Sequence, residues 1–225
     1  PDALTIGFAR RFTGYKRPEL VFHDADRLTR ILNASKRPVQ LIFAGKAHPA
    51  DEAGKHHLQR VYQRAIDHRF AGRVAFVDDY DLHVAHYVVQ GCDVWLNTPR
   101  KPLEASGTSG MKAALNGVPH LSVGDGWWAE GFTGQNGWRI AGTEGDDAAA
   151  SDAADAEALY TLLEEEVVPT FYERDADNLP RRWLETVRHS IRAVAPRFTT
   201  RRVVQEYVET MYAPAIEESG YKLAR

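Results

Sequence analysis

The chain has 225 residues, 44% of them hydrophobic and 26% charged, which suits a globular protein with one sizeable core or two small ones. A formal net charge of −3 provides no basic field, which argues against a general nucleic-acid-binding protein. No apolar run has the length of a membrane-spanning helix, and a single cysteine, Cys92, excludes an internal disulfide and a multi-thiolate metal site. We therefore expect a cytoplasmic protein, with no membrane or nucleic-acid partner and with Cys92 as core filler.

The first two-thirds of the chain alternates short apolar runs with longer helical patterns. The apolar runs predict five strands: Leu4–Phe8, Val39–Phe43, Val74–Val77, Val94–Leu96 and Leu121–Val123. The patterns between them predict four helices: Pro18–Leu32, Ala53–His68, Leu82–Gln90 and Thr108–Asn116. This alternation predicts an α/β fold over residues 1–142, a Rossmann-like doubly wound parallel sheet.

The composition changes at residues 143–156, which are rich in Asp and Ala and poor in large apolar side chains. We predict a solvated loop or linker there. Residues 157–225 are predicted to be a C-terminal helical segment that packs on the core, with helices at Glu157–Phe171, Arg181–Val194 and Thr200–Met211. Trp183 lies on the apolar stripe of the second helix and is interpreted as a packing residue.

Polar segments follow three of the predicted strands, and ligands of doubly wound sheets bind at the carboxyl ends of strands. The first segment, RRFTGYKR at residues 10–17, contains four cations just before a predicted helix and could bind phosphate. Taken alone, it is better explained as a solvated basic loop. The second segment, AGKAHP at residues 44–49, lacks the spacing of a Walker A loop and is a weak signal.

The third segment, NTPRKPLEASGTSGMK at residues 97–112, is the densest in polar residues. Its small residues would let backbone N–H groups approach a ligand, and Ser106 or Thr108 could cap the next helix. Lys112 would then lie in the first helical turn, where the helix dipole disfavours a cation. A lysine that readily loses its proton beside an anion site suits Schiff-base chemistry with a phosphorylated aldehyde. A capped helix with an exposed lysine explains this segment equally well.

Together these segments resemble the C-terminal lobe of the glycogen and α-glucan phosphorylase family, in its short bacterial branch. The resemblance runs from GFARRFTGYKRPEL through FAGKAHPAD and DDYD to DVWLNTPRKPLEASGTSGMKAALNGV and DGWWAEG, and covers most of the chain. In EASGTSGMK the glutamate, the small residues and the lysine all fall at the family's spacing. The resemblance implies the C-terminal half of a two-lobed GT-B glycosyltransferase fold, so we expect a piece that lacks the N-terminal lobe.

The resemblance implies roles for individual residues. Lys112 matches the lysine that carries pyridoxal 5'-phosphate, and Tyr80 a tyrosine that lines the cofactor ring. The positions that match the binding site of the cofactor's phosphate are Thr108, Ser109, Gly110 and Arg10. Arg11 and Lys16 match cations that bind the substrate phosphate, and with Lys112 they form the implied catalytic set. The positions that match glucosyl contacts are Glu104, Ser106, Gly107 and Tyr15.

The sequence departs from the family pattern at two places near these positions. Longer members carry arginine where Asp81 stands, and Gly-Asn where Ser109-Gly110 stands. Both departures concern fine contacts to the cofactor. They leave Lys112 and the cations of residues 10–17 unchanged.

The implied activity is α-1,4-glucan phosphorolysis, in which a terminal glucosyl unit and orthophosphate give glucose 1-phosphate. In this family the phosphate of the cofactor acts with the substrate phosphate in proton transfer, and two adjacent phosphates require compensating cations. The expected partners are α-1,4-glucan, phosphate or glucose 1-phosphate, and the N-terminal lobe of the same enzyme. The isolated chain is expected to be inactive or nearly so, and self-association into a homo-oligomer is left open.

Two alternative functions remain open at this point. One is a nucleotide-sugar-dependent GT-B glycosyltransferase, which would not need a lysine that carries a cofactor. The other is a non-catalytic carbohydrate-binding remnant, for which Trp127 and Trp128 could stack on sugars. Adjacent tryptophans more often pack a loop against a core, but loss of the other lobe predicts uncovered apolar surface around this pair.

Overall fold

The computed structural model describes residues 3–70, 72–142, 144–145 and 147–219. Within these ranges six strands form one parallel sheet: β1 Leu4–Ala9, β2 Val39–Ala44, β3 Val74–Val77, β4 Val94–Asn97, β5 His120–Val123 and β6 Gly137–Ile140. Their order is β3-β2-β1-β4-β5-β6. After β3, at one edge, the chain crosses to the other side of β1, so the switch point of the sheet lies between β1 and β4. The predicted Rossmann-like parallel sheet is confirmed.

Helices separate the strands and follow the last one. Their bounds are α1 Ala25–Leu32, α2 Glu52–Ala65, α3 Leu82–Gly91, α4 Thr108–Leu115, α5 Trp127–Gly131, α6 Ala148–Leu162, α7 Val168–Tyr172, α8 Arg181–Val194, α9 Thr200–Tyr207 and α10 Ala213–Ser219. One π-helical turn joins α6 to α7 and another joins α9 to α10. The first three helices start at Asp24, Asp51 and Asp81, whose carboxylates each accept a backbone N–H from three residues on, at 2.8 Å.

Side chains from the two faces of the sheet enter different clusters, because successive residues of a strand point to opposite faces. Leu4, Ile6 and Phe8 of β1 lie in the main core with apolar residues of α1, α2 and α6. On the other face, a Cβ on Gly7 would come within 2.9 Å of the Cys92 sulfur. Burial raises the pKa of the Cys92 thiol to about 12, which suits the predicted role of core filler.

Several predicted boundaries are wrong. The predicted linker at residues 143–156 is mostly helix, because α6 begins at Ala148 and is capped by the Asp147 carboxylate. Its residues share the main core with the sheet, as do Val168 of α7 and Trp183 of α8, so these three helices continue the same body. The helix predicted from Pro18 begins only at Ala25, after two short 3-10 turns. Neither β6 nor α5 is predicted from the sequence.

Tryptophan side chains of the C-terminal part are packed inside. Trp183 stacks on Trp138 with ring centroids 5.7 Å apart, which confirms its predicted packing role. Trp127 and Trp128 are both buried, so the prediction of uncovered apolar surface around them is wrong. Among the exposed apolar side chains, six follow one another along α9, α10 and the turn between them: Val204, Tyr207, Val208, Met211, Tyr212 and Ile216. No helix in the described ranges is long and apolar enough to cross a membrane.

Candidate functional site

The candidate site begins at the carboxyl ends of β1 and β4, on either side of the switch point. Arg10 directly follows β1, and its guanidinium donates hydrogen bonds to the Leu96 carbonyl at 2.7 Å and to the Asn97 amide oxygen. It also lies over the Phe8 ring, 4.8 Å from the centroid. Arg10 is therefore built into the strand ends, and the sequence analysis did not identify its partner Asn97.

The electrostatics of Arg10 show which predicted site residues surround it. Burial lowers its pKa to about 10, and the field of Glu104, followed by those of Tyr80 and Tyr15, partly offsets that effect. The guanidinium remains protonated at neutral pH. The fold thus brings four predicted site residues close together, although their segments lie up to about ninety residues apart in sequence. The other three all affect the pKa of Arg10.

Lys16 and Glu104 form a buried ion pair. The Lys16 ammonium donates to the Glu104 carboxylate, and the two side chains are only 11% and 5% exposed. The ammonium also lies 4.8 Å from the centroid of the Tyr15 ring. The predicted phosphate-binding cation and the predicted glucose-binding carboxylate are therefore direct partners, which the sequence analysis did not anticipate.

The loop after β5 supports the segment that carries Glu104. The buried Asp125 carboxylate accepts the Glu104 backbone N–H at 2.8 Å, and the Trp127 N–H donates to the Ser106 carbonyl at 2.8 Å. Gly126 has φ +55, and a Cβ there would come within 2.6 Å of the Ser106 oxygen, so this close approach requires glycine. Asp125 follows a predicted strand, so the strand-end rule could have identified it.

Helix α4 starts differently from the prediction. Its N-cap is Gly107 in the left-handed region at φ +87, with no side-chain hydrogen bond, so neither Ser106 nor Thr108 caps the helix. Lys112 is the fifth residue of α4 and lies beyond the first turn, where the effect of the helix dipole on a charge has fallen off. The buried Gly110 donates its N–H to the Gly107 carbonyl at 3.1 Å, within the turn itself.

Lys112 lines a cleft of about 390 Å³ between α3 and α4. Tyr80 and Ser109 line the same cleft, and Trp95 forms its inner wall. The buried Trp95 indole N–H has no hydrogen-bond acceptor among the described residues. Burial raises the pKa of Tyr80, which keeps its phenol protonated.

The remaining predicted residues lie at the edge of this arrangement. Ser106 and Thr108 are exposed and line a second cleft of about 430 Å³, which α9 closes on the other side. Gly107 separates them as the N-cap of α4. Arg11 is exposed and forms no ion pair with any described residue, so its guanidinium is available to a ligand.

A buried histidine lies beneath the first turn of α4. His120 is packed between the rings of Trp127 and Trp128, with centroids 5.2 and 4.9 Å away. Burial, followed by the field of Arg10, holds its pKa well below the usual value, so the imidazole is neutral. His120 is not predictable as a site residue, because a lone histidine next to a strand has no distinguishing sequence pattern.

The strand order places this chain in a known fold class. A crystal structure of Anabaena Alr3699/HepE in complex with UDP and glucose has the same fold, with a TM-score of 0.65 and 18% identity over 94% of this chain and 49% of that one. This similarity shows the fold alone, the GT-B glycosyltransferase architecture.

The chain belongs to the carbohydrate phosphorylase family, whose profile matches residues 8–168. It is 53% identical to glycogen phosphorylase of Aquifex aeolicus over 221 residues and 51% identical to maltodextrin phosphorylase of Thermococcus litoralis over 216 residues. These alignments cover 97% and 96% of the chain but 31% and 25% of the relatives. The chain therefore spans less than a third of the length of these relatives.

Proposed function

We propose that this chain supplies the cofactor- and phosphate-binding part of an α-1,4-glucan phosphorylase, which releases glucose 1-phosphate from a glucan and orthophosphate. The observation that carries the proposal is the convergence of Arg10, Lys16, Tyr80 and Glu104 at the switch point, beside the cleft that Lys112 lines. Family membership supports the reaction class, and the two named relatives are a glycogen and a maltodextrin phosphorylase.

The cleft between α3 and α4 fits pyridoxal 5'-phosphate. It offers the amine of Lys112 and the aromatic side chain of Tyr80, and it extends to Ser109 in the first turn of α4. The Trp95 indole N–H beside it is buried and has no acceptor among the described residues. Lys112 would hold the cofactor covalently, and the backbone N–H groups of Thr108 and Ser109 would bind its phosphate. When bound, the cofactor supplies a phosphate group that takes part in proton transfer beside the substrate phosphate.

Lys16 and Glu104 would couple the two substrates. An incoming phosphate competes with Glu104 for the ammonium of Lys16, and a carboxylate released in this way accepts hydrogen bonds from sugar hydroxyls. Both side chains are buried, so neither charge is stable alone and the rearrangement is favoured when both ligands are present. Arg11, exposed and without an ion pair in the described part of the chain, would add the second cation for the phosphate.

The site in this chain alone is open on one side. Arg11, Ser106 and Thr108 are exposed, so water competes for the cations and for the backbone donors. Phosphorolysis requires that glucan, phosphate and cofactor are held together with water excluded. We therefore expect the isolated chain to bind the cofactor but to release little glucose 1-phosphate.

A chimeric enzyme tests the proposed function. The chain replaces the segment of the Aquifex aeolicus glycogen phosphorylase that aligns with it, and glucose 1-phosphate release from maltodextrin is measured with added cofactor. We expect the chimera with the unaltered chain to catalyse phosphorolysis and its Lys112→Ala variant to be inactive. The Lys46→Ala variant, a control at an exposed lysine, should be as active as the unaltered chimera. A folded chimera that releases no glucose 1-phosphate, or an active Lys112→Ala variant, would overturn the proposal.

A further inference from the structure

One cation of the basic segment is not available to a ligand. The Arg17 side chain is only 4% exposed, and its guanidinium donates to the carbonyls of Thr98 at 2.9 Å and Pro99 at 2.8 Å. It also donates to the carboxylates of Asp152 at 2.8 Å and Asp155 at 2.6 Å. Four of its five N–H groups are thus directed at protein oxygens, so Arg17 holds segments of the chain together.

The backbone at Arg17 is held in an uncommon conformation. Its φ of +43 and ψ of +56 lie in the left-handed region, which costs a non-glycine residue about 1 kcal/mol or more. The Thr98 hydroxyl lies 3.0 Å from the carbonyls of both Lys16 and Arg17, and the Arg100 N–H donates to the Tyr15 carbonyl at 2.6 Å. The loops after β1 and β4 are therefore joined at the residues next to Lys16.

The third segment in this junction is helix α6. Asp155 is 2% exposed, and Asp152, one turn earlier, also accepts a hydrogen bond from Arg100 at 2.6 Å. Both aspartates lie in the segment predicted to be a linker. In the structure they connect the C-terminal helices to the two loops that carry Lys16 and Glu104.

We propose that Arg17, held by Asp155, is a positioning residue that sets the Lys16 ammonium against the Glu104 carboxylate. Loss of the Arg17–Asp155 contact removes one of the four hydrogen bonds of the Arg17 guanidinium and its buried counter-charge, which weakens the left-handed turn, so Lys16 spends more time away from Glu104. Helix α6 thereby determines how well the basic loop is ordered. The consequence for phosphate binding rests on the proposed function, whereas the ordering of Lys16 does not.

Competitive labelling of lysine amines with acetic anhydride measures the ordering of Lys16 directly. In the parent chain, buried Lys16 should react slowly, and half-exposed Lys55 serves as the internal reference. In Asp155→Asn we expect labelling of Lys16 to accelerate about tenfold relative to Lys55, the factor that corresponds to about 1.4 kcal/mol. Asp175→Asn removes a carboxylate from the partly exposed pair with Arg181 and should leave the ratio unchanged.

Asp152→Asn, at a partly exposed position, provides a second variant if Asp155→Asn does not fold, and should give a smaller acceleration in the same direction. In Arg17→Ala, free guanidinium ion at concentrations far below those that denature the protein should slow the labelling of Lys16 again and leave the labelling of Lys55 unchanged. General destabilisation of the protein would not produce this selective effect. An unchanged ratio in folded Asp155→Asn or Asp152→Asn would overturn the proposal. Separately, inorganic phosphate should slow the labelling of Lys16 in the parent chain. If it does not, the phosphate site is wrong while the positioning role is still judged by the variants.

Discussion

Replacement of Gly110 by alanine should destabilise the protein, although alanine is the better helix former. An added Cβ would lie 2.6 Å from His120 Cε1 and 2.8 Å from Trp127 Nε1. The rings have no room to retreat, because Trp127 packs against Trp128 and Phe198 with centroids 5.0 and 5.3 Å away. Overpacking costs about 1–3 kcal/mol and the gain in helix propensity is about 1 kcal/mol, so we expect a net loss of up to about 2 kcal/mol.

Gly91→Ala provides the matched control. Gly91 is the last residue of α3, and a Cβ there would contact nothing within 4 Å. This substitution should raise the free energy of unfolding by up to about 1 kcal/mol. Urea denaturation followed by tryptophan fluorescence gives the free energy of unfolding of the parent chain and of both variants, and the comparison requires similar m-values. If Gly110→Ala is as stabilising as Gly91→Ala, the argument that the His120–Trp127 ring pair fills this space is refuted.

Two other substitutions test buried polar groups. Because the pKa of folded His120 is well below its unfolded value, acid favours the unfolded state, so stability decreases as pH falls below about 6.5, by at most about 1.4 kcal/mol per pH unit. His120→Gln should reduce this slope in urea titrations between about pH 7 and pH 5, and an unchanged slope would be evidence against a neutral buried imidazole. Glu104→Gln leaves the buried Lys16 ammonium without its counter-charge and should lower the free energy of unfolding by about 2–3 kcal/mol. The variant should still bind pyridoxal 5'-phosphate at Lys112, which is measured by trapping the cofactor with borohydride. Loss of trapping in a folded Glu104→Gln protein would show that the two parts of the site are not separable.

The sheet is predictable because five of its strands are apolar runs between polar turns. The sixth, β6, is four residues long and begins with Gly137, where a Cβ would lie 2.3 Å from the His120 carbonyl oxygen. That close approach is a tertiary contact, and the sequence does not show it. Only the second part of α6 lies in the predicted helix Glu157–Phe171. Residues 148–156 are missed because the buried face there includes Ser151, Asp155 and Ala156 and forms no apolar stripe.

The sequence predicts that the residues of the candidate site lie at one edge of the sheet, but it does not predict which of their side chains pair. The rule that ligands bind at strand ends places the basic segment and the Glu104 segment at the same edge of the sheet. The pairing of Lys16 with Glu104 joins residues 88 positions apart, and that of Arg17 with Asp155 joins residues 138 apart. The neighbouring residues in the sequence do not distinguish Arg17, whose buried guanidinium donates to protein oxygens, from Arg11, which is exposed.

The most direct test of the central claim is to trap the cofactor on this chain. The 225-residue protein is incubated with pyridoxal 5'-phosphate and reduced with borohydride, and the adduct is located by peptide mass spectrometry. We predict one phosphopyridoxyl group per chain, on the peptide that contains Lys112, and none at that position in Lys112→Ala. A chain that remains unmodified, or that is modified equally at exposed lysines such as Lys46 and Lys55, would contradict the assignment of the cleft between α3 and α4 as the cofactor site.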